Sequence, residues 1–88
     1  METPFADGRV IRTPDDLGKA VRRHRKSREL TQEAAAALSN VSIGFLSNFE
    51  NGKPTAAIGK ILQTLEALGL ELIAVPRGRM PDRRETQP

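Results

Sequence analysis

Two short segments with helix signals in the middle of this chain are separated by only four residues, 39–42. The first follows Thr31 and contains four consecutive alanines, Ala34–Ala37, and the second follows Ser42 and ends before Gly52. Thr and Ser are favoured at helix N-caps, and glycine is favoured just after a helix end. Asn40 can adopt the left-handed conformation that a tight reversal requires. Because alanines leave almost no side-chain bulk, another helix can approach the first segment closely.

Cap and periodicity signals predict four helices in a mainly α-helical fold. Thr13 and Pro14 open the first helix, whose apolar residues recur at helical spacing. The expected helices are about Pro14–Arg28, Gln32–Leu38, Ile43–Asn51 and a fourth that is capped by Thr55 and ended by Gly69. The next six residues, Leu70–Val75, form a β-prone run that Pro76 stops.

These signals divide the chain into one domain and two tails. Residues 1–12 are predicted to be an N-terminal tail, and residues 13–75 a single domain that includes the β-prone run. Residues 76–88 contain three prolines and four arginines. Such a composition buries too little apolar surface to order itself, so we expect a flexible basic tail.

Composition narrows the function classes. Cysteine is absent and His24 is the single histidine among 88 residues. This argues against disulfides, metal sites and Ser-His-Asp chemistry, and we expect a protein that is not an enzyme and needs no cofactor. The net charge of +3 and the pI of about 10.0 suit an anionic partner such as nucleic acid or a membrane surface. No apolar run could span a bilayer and the N-terminus lacks signal-peptide features, so we expect a cytoplasmic location.

Two short helices joined by a tight turn are typical of a helix-turn-helix, whose second helix enters the DNA major groove. The motifs Leu30-Thr31-Gln32-Glu33, Val41-Ser42 and Leu46 through Lys53 resemble the phage-repressor (Cro-type, XRE) helix-turn-helix family, over residues 17–68. The stretch from Gly52 to Leu72 is similar to the HipB-like antitoxins, which replace the last repressor helix with a short strand. The resemblance implies a phage-repressor-like bundle of four helices.

The resemblance also implies roles by position. The residues implied to face DNA bases are Ser42, Ile43, Gly44, Ser47 and Asn48. Those implied to bind phosphates are Gln32, Asn51, Gly52 and Lys53. Arg25 and Glu50 are implied to form a structural ion pair. Between Glu29 and Gly52 there is no Lys or Arg, so we expect phosphate binding from the flanks and base reading by neutral groups. Ile43 suits contact with a thymine methyl group.

The β-prone run predicts a dimer. A lone strand in a helical domain leaves its backbone donors and acceptors unpaired, which is costly at an apolar surface. Antiparallel pairing with the same strand of a second chain would satisfy them about a two-fold axis. The predicted dimerisation residues are Leu70, Leu72, Ile73 and Val75. Such a homodimer would bind a palindromic operator with half-sites about 34 Å apart.

Three functions remain open at this point. The first is a transcriptional repressor that acts as the HipB-like antitoxin of a toxin–antitoxin operon, which it represses itself. Its implied partner is a HipA-like kinase toxin. The second is a stand-alone repressor or restriction–modification controller without a toxin. The third is a protein-interaction module that has lost DNA binding, an idea to which Gly44 lends support. Phe45 either packs on the first helix or contacts DNA, and packing is favoured.

Overall fold

The computed structural model describes residues 8–77, which contain four α-helices. They are α1 Pro14–Ser27, α2 Gln32–Ser39, α3 Ile43–Glu50 and α4 Ile58–Leu68. The prediction of a mainly helical, four-helix fold is confirmed, with helix ends that differ by about one residue in α1 to α3. The predicted tails lie largely outside the described residues, and the domain boundaries at 13 and 75 stay a prediction.

Local caps define most helix ends. Thr13 and Asp16 form a capping box at α1, in which the Asp16 N–H donates to Thr13 Oγ1 at 3.0 Å. Thr31 and Ser42 accept from the backbone N–H groups of Ala34 and Phe45, at 3.0 and 2.9 Å. Asn40 is left-handed with φ +58° at the end of α2. These are the caps and the turn residue that the sequence predicts.

The start of α4 is predicted wrongly. Thr55 does not cap the helix, which begins at Ile58 after Ala57, without a side-chain cap hydrogen bond. Pro54 and Thr55 instead form a turn. Proline presets a turn conformation, and a threonine beside it is used there rather than as an N-cap. Gly69 ends α4 with φ +83°, as predicted.

The predicted C-terminal strand is not formed within residues 8–77, where no strand is present. Residues 70–76 have no regular secondary structure. The physical reason is the absence of a neighbouring strand in these 70 residues of helix and turn, because a strand exists only as part of a hydrogen-bonded ladder.

The core lies where the four helices meet. Its buried apolar members are Val21, Ala35, Ala36, Leu46, Phe49, Leu65 and Leu68. The small side chains of Ala35 and Ala36 let α2 pack against both α3 and α4. At the crossing of α1 and α3, a Cβ atom added to Gly18 would lie 2.4 Å from the Phe49 carbonyl oxygen. The glycine therefore sets the distance between α1 and the helix that carries the predicted base-reading residues.

Candidate nucleic-acid interface

A buried ion pair joins α1 to the end of α3. Arg25 Nε donates to Glu50 Oε2 at 2.6 Å, and Arg25 Nη2 donates to Glu50 Oε1 at 2.9 Å. Arg25 Nη1 also donates to the Leu30 carbonyl oxygen at 2.8 Å. The hydrogen bonds from Arg25 to Glu50 raise the pKa of the Arg25 guanidinium. The structure thus brings together the two residues of the predicted ion pair, in a bidentate geometry that fixes the angle between the two helices.

Gln32 is part of the same network. Its Nε2 donates to Glu50 Oε1 at 3.0 Å, which places the first residue of α2 beside the last residue of α3. Glu50 therefore accepts hydrogen bonds from two other elements and ties three helices together. The contact with phosphate that the resemblance implies for Gln32 stays a prediction.

The outer face of α3 is open. Ser42, Ile43, Gly44 and Asn48 are exposed and Ser47 is half-buried, while Leu46 and Phe49 point into the core. Ile43, the first residue of α3, is 46% exposed. All five predicted base-reading residues belong to one eight-residue helix and its N-cap. Base reading by this face stays a prediction.

The turn after α3 carries the other predicted phosphate-binding residues. Asn51 and Lys53 are exposed, and Gly52 is left-handed with φ +81°. A Cβ atom on Gly52 would lie 2.9 Å from the Asp15 Cα atom, so the first turn of α1 packs directly on this turn. The Lys53 N–H donates to the Asn48 carbonyl oxygen at 3.0 Å. This hydrogen bond holds the backbone of Lys53 next to the C-terminal end of α3, and its side chain extends from there.

A cleft between α3 and the start of α4 is a feature that the sequence analysis missed. It has a volume of about 210 Å³ and is lined by Phe45, Asn48, Lys53, Thr55, Ala56, Ala57 and Lys60. Phe45 is half-buried and packs against the core, with its ring centroid 6.0 Å from that of Phe49. Its predicted packing on α1 stays a prediction. Lys60 Nζ lies 5.7 Å from the Phe45 ring centroid. No sequence signal brings these two residues together, because they lie on different helices.

The predicted dimerisation segment follows α4. Leu70 is half-buried, and its N–H donates to the Leu65 carbonyl oxygen at 2.8 Å. Leu72 and Ile73 are each 46% exposed. A groove of about 300 Å³ runs between α4 and this segment. Its lining residues are Leu62, Leu65, Glu66, Gly69, Leu70, Glu71 and Leu72.

A helix-turn-helix domain model matches residues 16–76. The chain belongs to the helix-turn-helix family. An uncharacterized HTH-type transcriptional regulator, y4mF, from Sinorhizobium fredii (strain NBRC 101917 / NGR234) is 45% identical over 62 residues. The match covers 70% of this chain and 82% of that relative.

Solved structures share the fold of this helix-turn-helix chain. A HipB-O4 20mer complex matches with a TM-score of 0.72 and 23% identity, over 78% of this chain and 97% of the other. A HipA-HipB-O2-O3 complex gives the same TM-score, identity and coverage. The fold predicted from the resemblance to HipB-like proteins is therefore confirmed for the four helices.

A contact of His24 links the last turn of α1 to the end of α4. His24 Nε2 lies 2.7 Å from the Leu68 carbonyl oxygen. Arg28 Nη1 donates to the same oxygen at 2.9 Å. Polar contacts thus join the ends of α1 and α4.

None of the helices within residues 8–77 has the length and hydropathy needed to cross a membrane.

Proposed function

We propose that this helix-turn-helix chain is a sequence-specific DNA-binding transcriptional repressor. The observation that carries the proposal is the open outer face of α3, on a helix whose inner face is buried against α1 and α2. The second helix of a helix-turn-helix lies in the major groove, while the first crosses the DNA backbone. An eight-residue helix with short outer side chains fits this arrangement, because bulky groups would hold it away from the base edges.

In this proposal, uncharged side chains contact the DNA bases. Ile43 would contact a thymine methyl, and Ser47 and Asn48 would form hydrogen bonds to base edges. Gln32, Asn51, Gly52 and Lys53 would bind the phosphates on either side, and Lys53 supplies the positive charge among them. Phosphate contacts fix the position of the protein on the duplex, and base contacts provide its sequence preference.

The experiment that tests this function starts from a random duplex pool. Duplexes are enriched on the purified wild-type chain, and affinity for the enriched and a shuffled sequence is measured at several salt concentrations. We expect a clear preference for the enriched sequence and a steep loss of affinity with salt, because phosphate binding releases counterions. Equal affinity for both duplexes, or a flat salt response, would instead favour a protein-interaction module.

Three variants separate reading from phosphate binding. Ser47→Ala and Ile43→Ala should each cost about 1–3 kcal/mol at one base position and relax the sequence preference there. Lys53→Ala should weaken binding to all sequences by a similar factor. A change in the preferred sequence caused by Lys53→Ala alone would contradict this division of roles.

We further propose a homodimer formed through residues 70–75. Exposed Leu72 and Ile73, half-buried Val75 and the groove beside Leu70 support it, since apolar side chains lie together there in a segment without regular secondary structure. Exposed Ile58 and Leu62 continue this apolar surface along α4. In the proposed dimer, the segments of two chains pair antiparallel and set the spacing of the two α3 helices. A palindromic operator matches that symmetry.

A proline substitution tests the dimer. Leu72→Pro removes a backbone donor from the proposed ladder and leaves the four helices untouched. We expect the variant to keep its helical circular dichroism, to sediment as a monomer and to lose operator binding. A wild-type chain that is monomeric at micromolar concentration, or a proline variant that still dimerises, would contradict the intermolecular sheet.

The most specific part of the proposal is that this chain is a HipB-like antitoxin. In this role it represses its own operon in the cytoplasm and binds a HipA-like kinase toxin. Its support is the shared fold with HipB, which is solved in a HipA-HipB-O2-O3 complex. The neighbouring reading frames test it. A kinase-like product encoded next to this chain should co-purify with it and lose toxicity in its presence. With no such neighbour, a stand-alone repressor or restriction–modification controller is the better description.

A further inference from the structure

The cleft between α3 and the start of α4 has the chemistry of an anion site. Two ammonium groups, from Lys53 and Lys60, an amide from Asn48 and a hydroxyl from Thr55 line it, and no carboxylate is among its lining residues. All four of these side chains are exposed. A cluster of donors without an acid favours a ligand that carries negative charge and several acceptor oxygens.

The ring of Phe45 gives Lys60 a defined place in this cleft. Lys60 Nζ lies 5.7 Å from the ring centroid, within the range of a cation–π contact. The ring itself is held by Phe49, whose centroid is 6.0 Å away in the core. An exposed lysine normally samples many rotamers, and its attraction to a fixed ring reduces that freedom. The ammonium of Lys60 is thereby held on the α3 side of α4.

We propose that Lys60, positioned by Phe45, is a further phosphate-binding residue, and that the cleft binds one phosphodiester group of the DNA backbone. The inference rests on the proposed function. DNA is favoured over an acidic peptide because the cleft shares Asn48 and Lys53 with the face and turn of α3 that would meet the duplex. A DNA strand that leaves the major groove beside α3 would present one of its phosphates to Lys53 and Lys60 together.

The test is the salt dependence of DNA affinity for Lys60→Gln and a matched control, Lys26→Gln. Lys26 is also exposed, but it lies in the last turn of α1, which joins the far end of α4 through His24 and Leu68. That end is about 16 Å from the start of α4, given the rise of an α-helix. Both variants lose one positive charge, so a difference between them reports a local contact.

With the enriched duplex, we expect Lys60→Gln to reduce the slope of log affinity against log salt by about 0.9. This corresponds to a loss of about eightfold in affinity at 0.1 M salt. The sequence preference should be unchanged, and Lys26→Gln should keep the wild-type slope. Equal slopes for Lys60→Gln and Lys26→Gln would overturn the proposal, even where sequence-specific binding by the wild-type chain upholds the proposed function. A wild-type chain that binds no duplex would refute both.

Phe45→Leu tests the positioning role, since leucine keeps apolar packing and removes the ring. We expect Phe45→Leu to lower affinity two- to fourfold alone and to have no further effect on affinity when Lys60→Gln is present. A structural role for Phe45 would lower affinity by the same factor in both backgrounds, and that result would contradict positioning. Titration of the wild-type chain with polyglutamate is the remaining control. If polyglutamate saturates the chain at concentrations at which the duplex does not yet bind, the proposal is overturned.

Discussion

Gly18 marks the closest approach of α1 to α3, and Gly18→Ala is the sharpest test of how the domain is packed. The new Cβ atom would lie 2.4 Å from the Phe49 carbonyl oxygen and 2.7 Å from the Glu50 carbonyl oxygen. Both obstructing atoms belong to the backbone of α3, so neither can rotate away. The helices must separate by about 1 Å before the Cβ reaches the 3.4 Å of ordinary van der Waals contact.

The magnitude follows from two opposing effects. Forcing extra volume into a packed site costs about 1–3 kcal/mol, and sometimes more. Replacing glycine by alanine inside a helix returns up to about 1 kcal/mol through backbone entropy. Because the clash is with backbone atoms, we expect an overpacking cost near ~3 kcal/mol. The net loss in the free energy of unfolding is then about 2 kcal/mol. For a domain of this size, that loss lowers Tm by about 10 °C.

Gly59→Ala provides the matched control. Gly59 lies in α4, and a Cβ atom there would meet nothing within 4 Å. The same substitution should therefore raise the free energy of unfolding by about 0.5–1 kcal/mol. Urea and thermal unfolding of both variants should be measured at one protein concentration, because dimerisation would couple stability to concentration. If Gly18→Ala is as stable as the wild-type chain, the reasoning about the α1–α3 contact is refuted.

Arg25→Ala leaves Glu50 buried without its cation and should cost about 3–5 kcal/mol, measured by urea unfolding; an unchanged midpoint would show that the pair contributes nothing. The pKa of Asp16 is held below its ordinary value of 3.8, chiefly by the hydrogen bond from the Arg12 N–H. The stability that the ionised Asp16 carboxylate contributes is therefore fully present above pH 3.8 and is lost as pH falls through the lower pKa of the folded state. Asp16→Asn should consequently reduce Tm at pH 6 and flatten its acid decline, and parallel Tm curves would contradict this. Gly44→Ala should raise Tm slightly and alter the enriched DNA sequence, since a Cβ atom on exposed Gly44 would make only an ordinary contact, with Ser42 Oγ at 3.9 Å; an unchanged sequence preference would remove Gly44 from the reading face.

Local signals explain why much of the fold could be predicted from the sequence. Thr31 and Ser42 each cap a helix through a hydrogen bond to a residue three positions along. Asn40 and Gly69 adopt left-handed conformations that only a few residue types tolerate. Signals of this kind depend on a few consecutive residues. Thr55 failed as a cap because the neighbouring Pro54 supports a competing local structure, a turn.

Contacts between helices were harder to predict. The glycine at position 18 carries no local sign that it touches α3, and the distances to Phe49 and Glu50 appear only once the helices are packed. The pairing of Phe45 with Lys60 depends likewise on how α3 and α4 lie together. The pair of Arg25 with Glu50 could be anticipated only through the resemblance to a family. Spacing along the chain gives no reason for residues 25 positions apart to meet.

The orientation of α3 depends on the whole domain rather than on the helix itself. An eight-residue helix is far shorter than the roughly 12–15 residues at which isolated helices become marginally stable in water. Leu46 and Phe49 bury its inner face, and Arg25 together with Gln32 holds its last residue, Glu50. The groups that would read DNA are thus fixed by buried side chains, together with Gln32, which would itself bind a phosphate. A substitution that moves α1 against α3 would therefore move the reading face as well, and core packing and DNA affinity should change together.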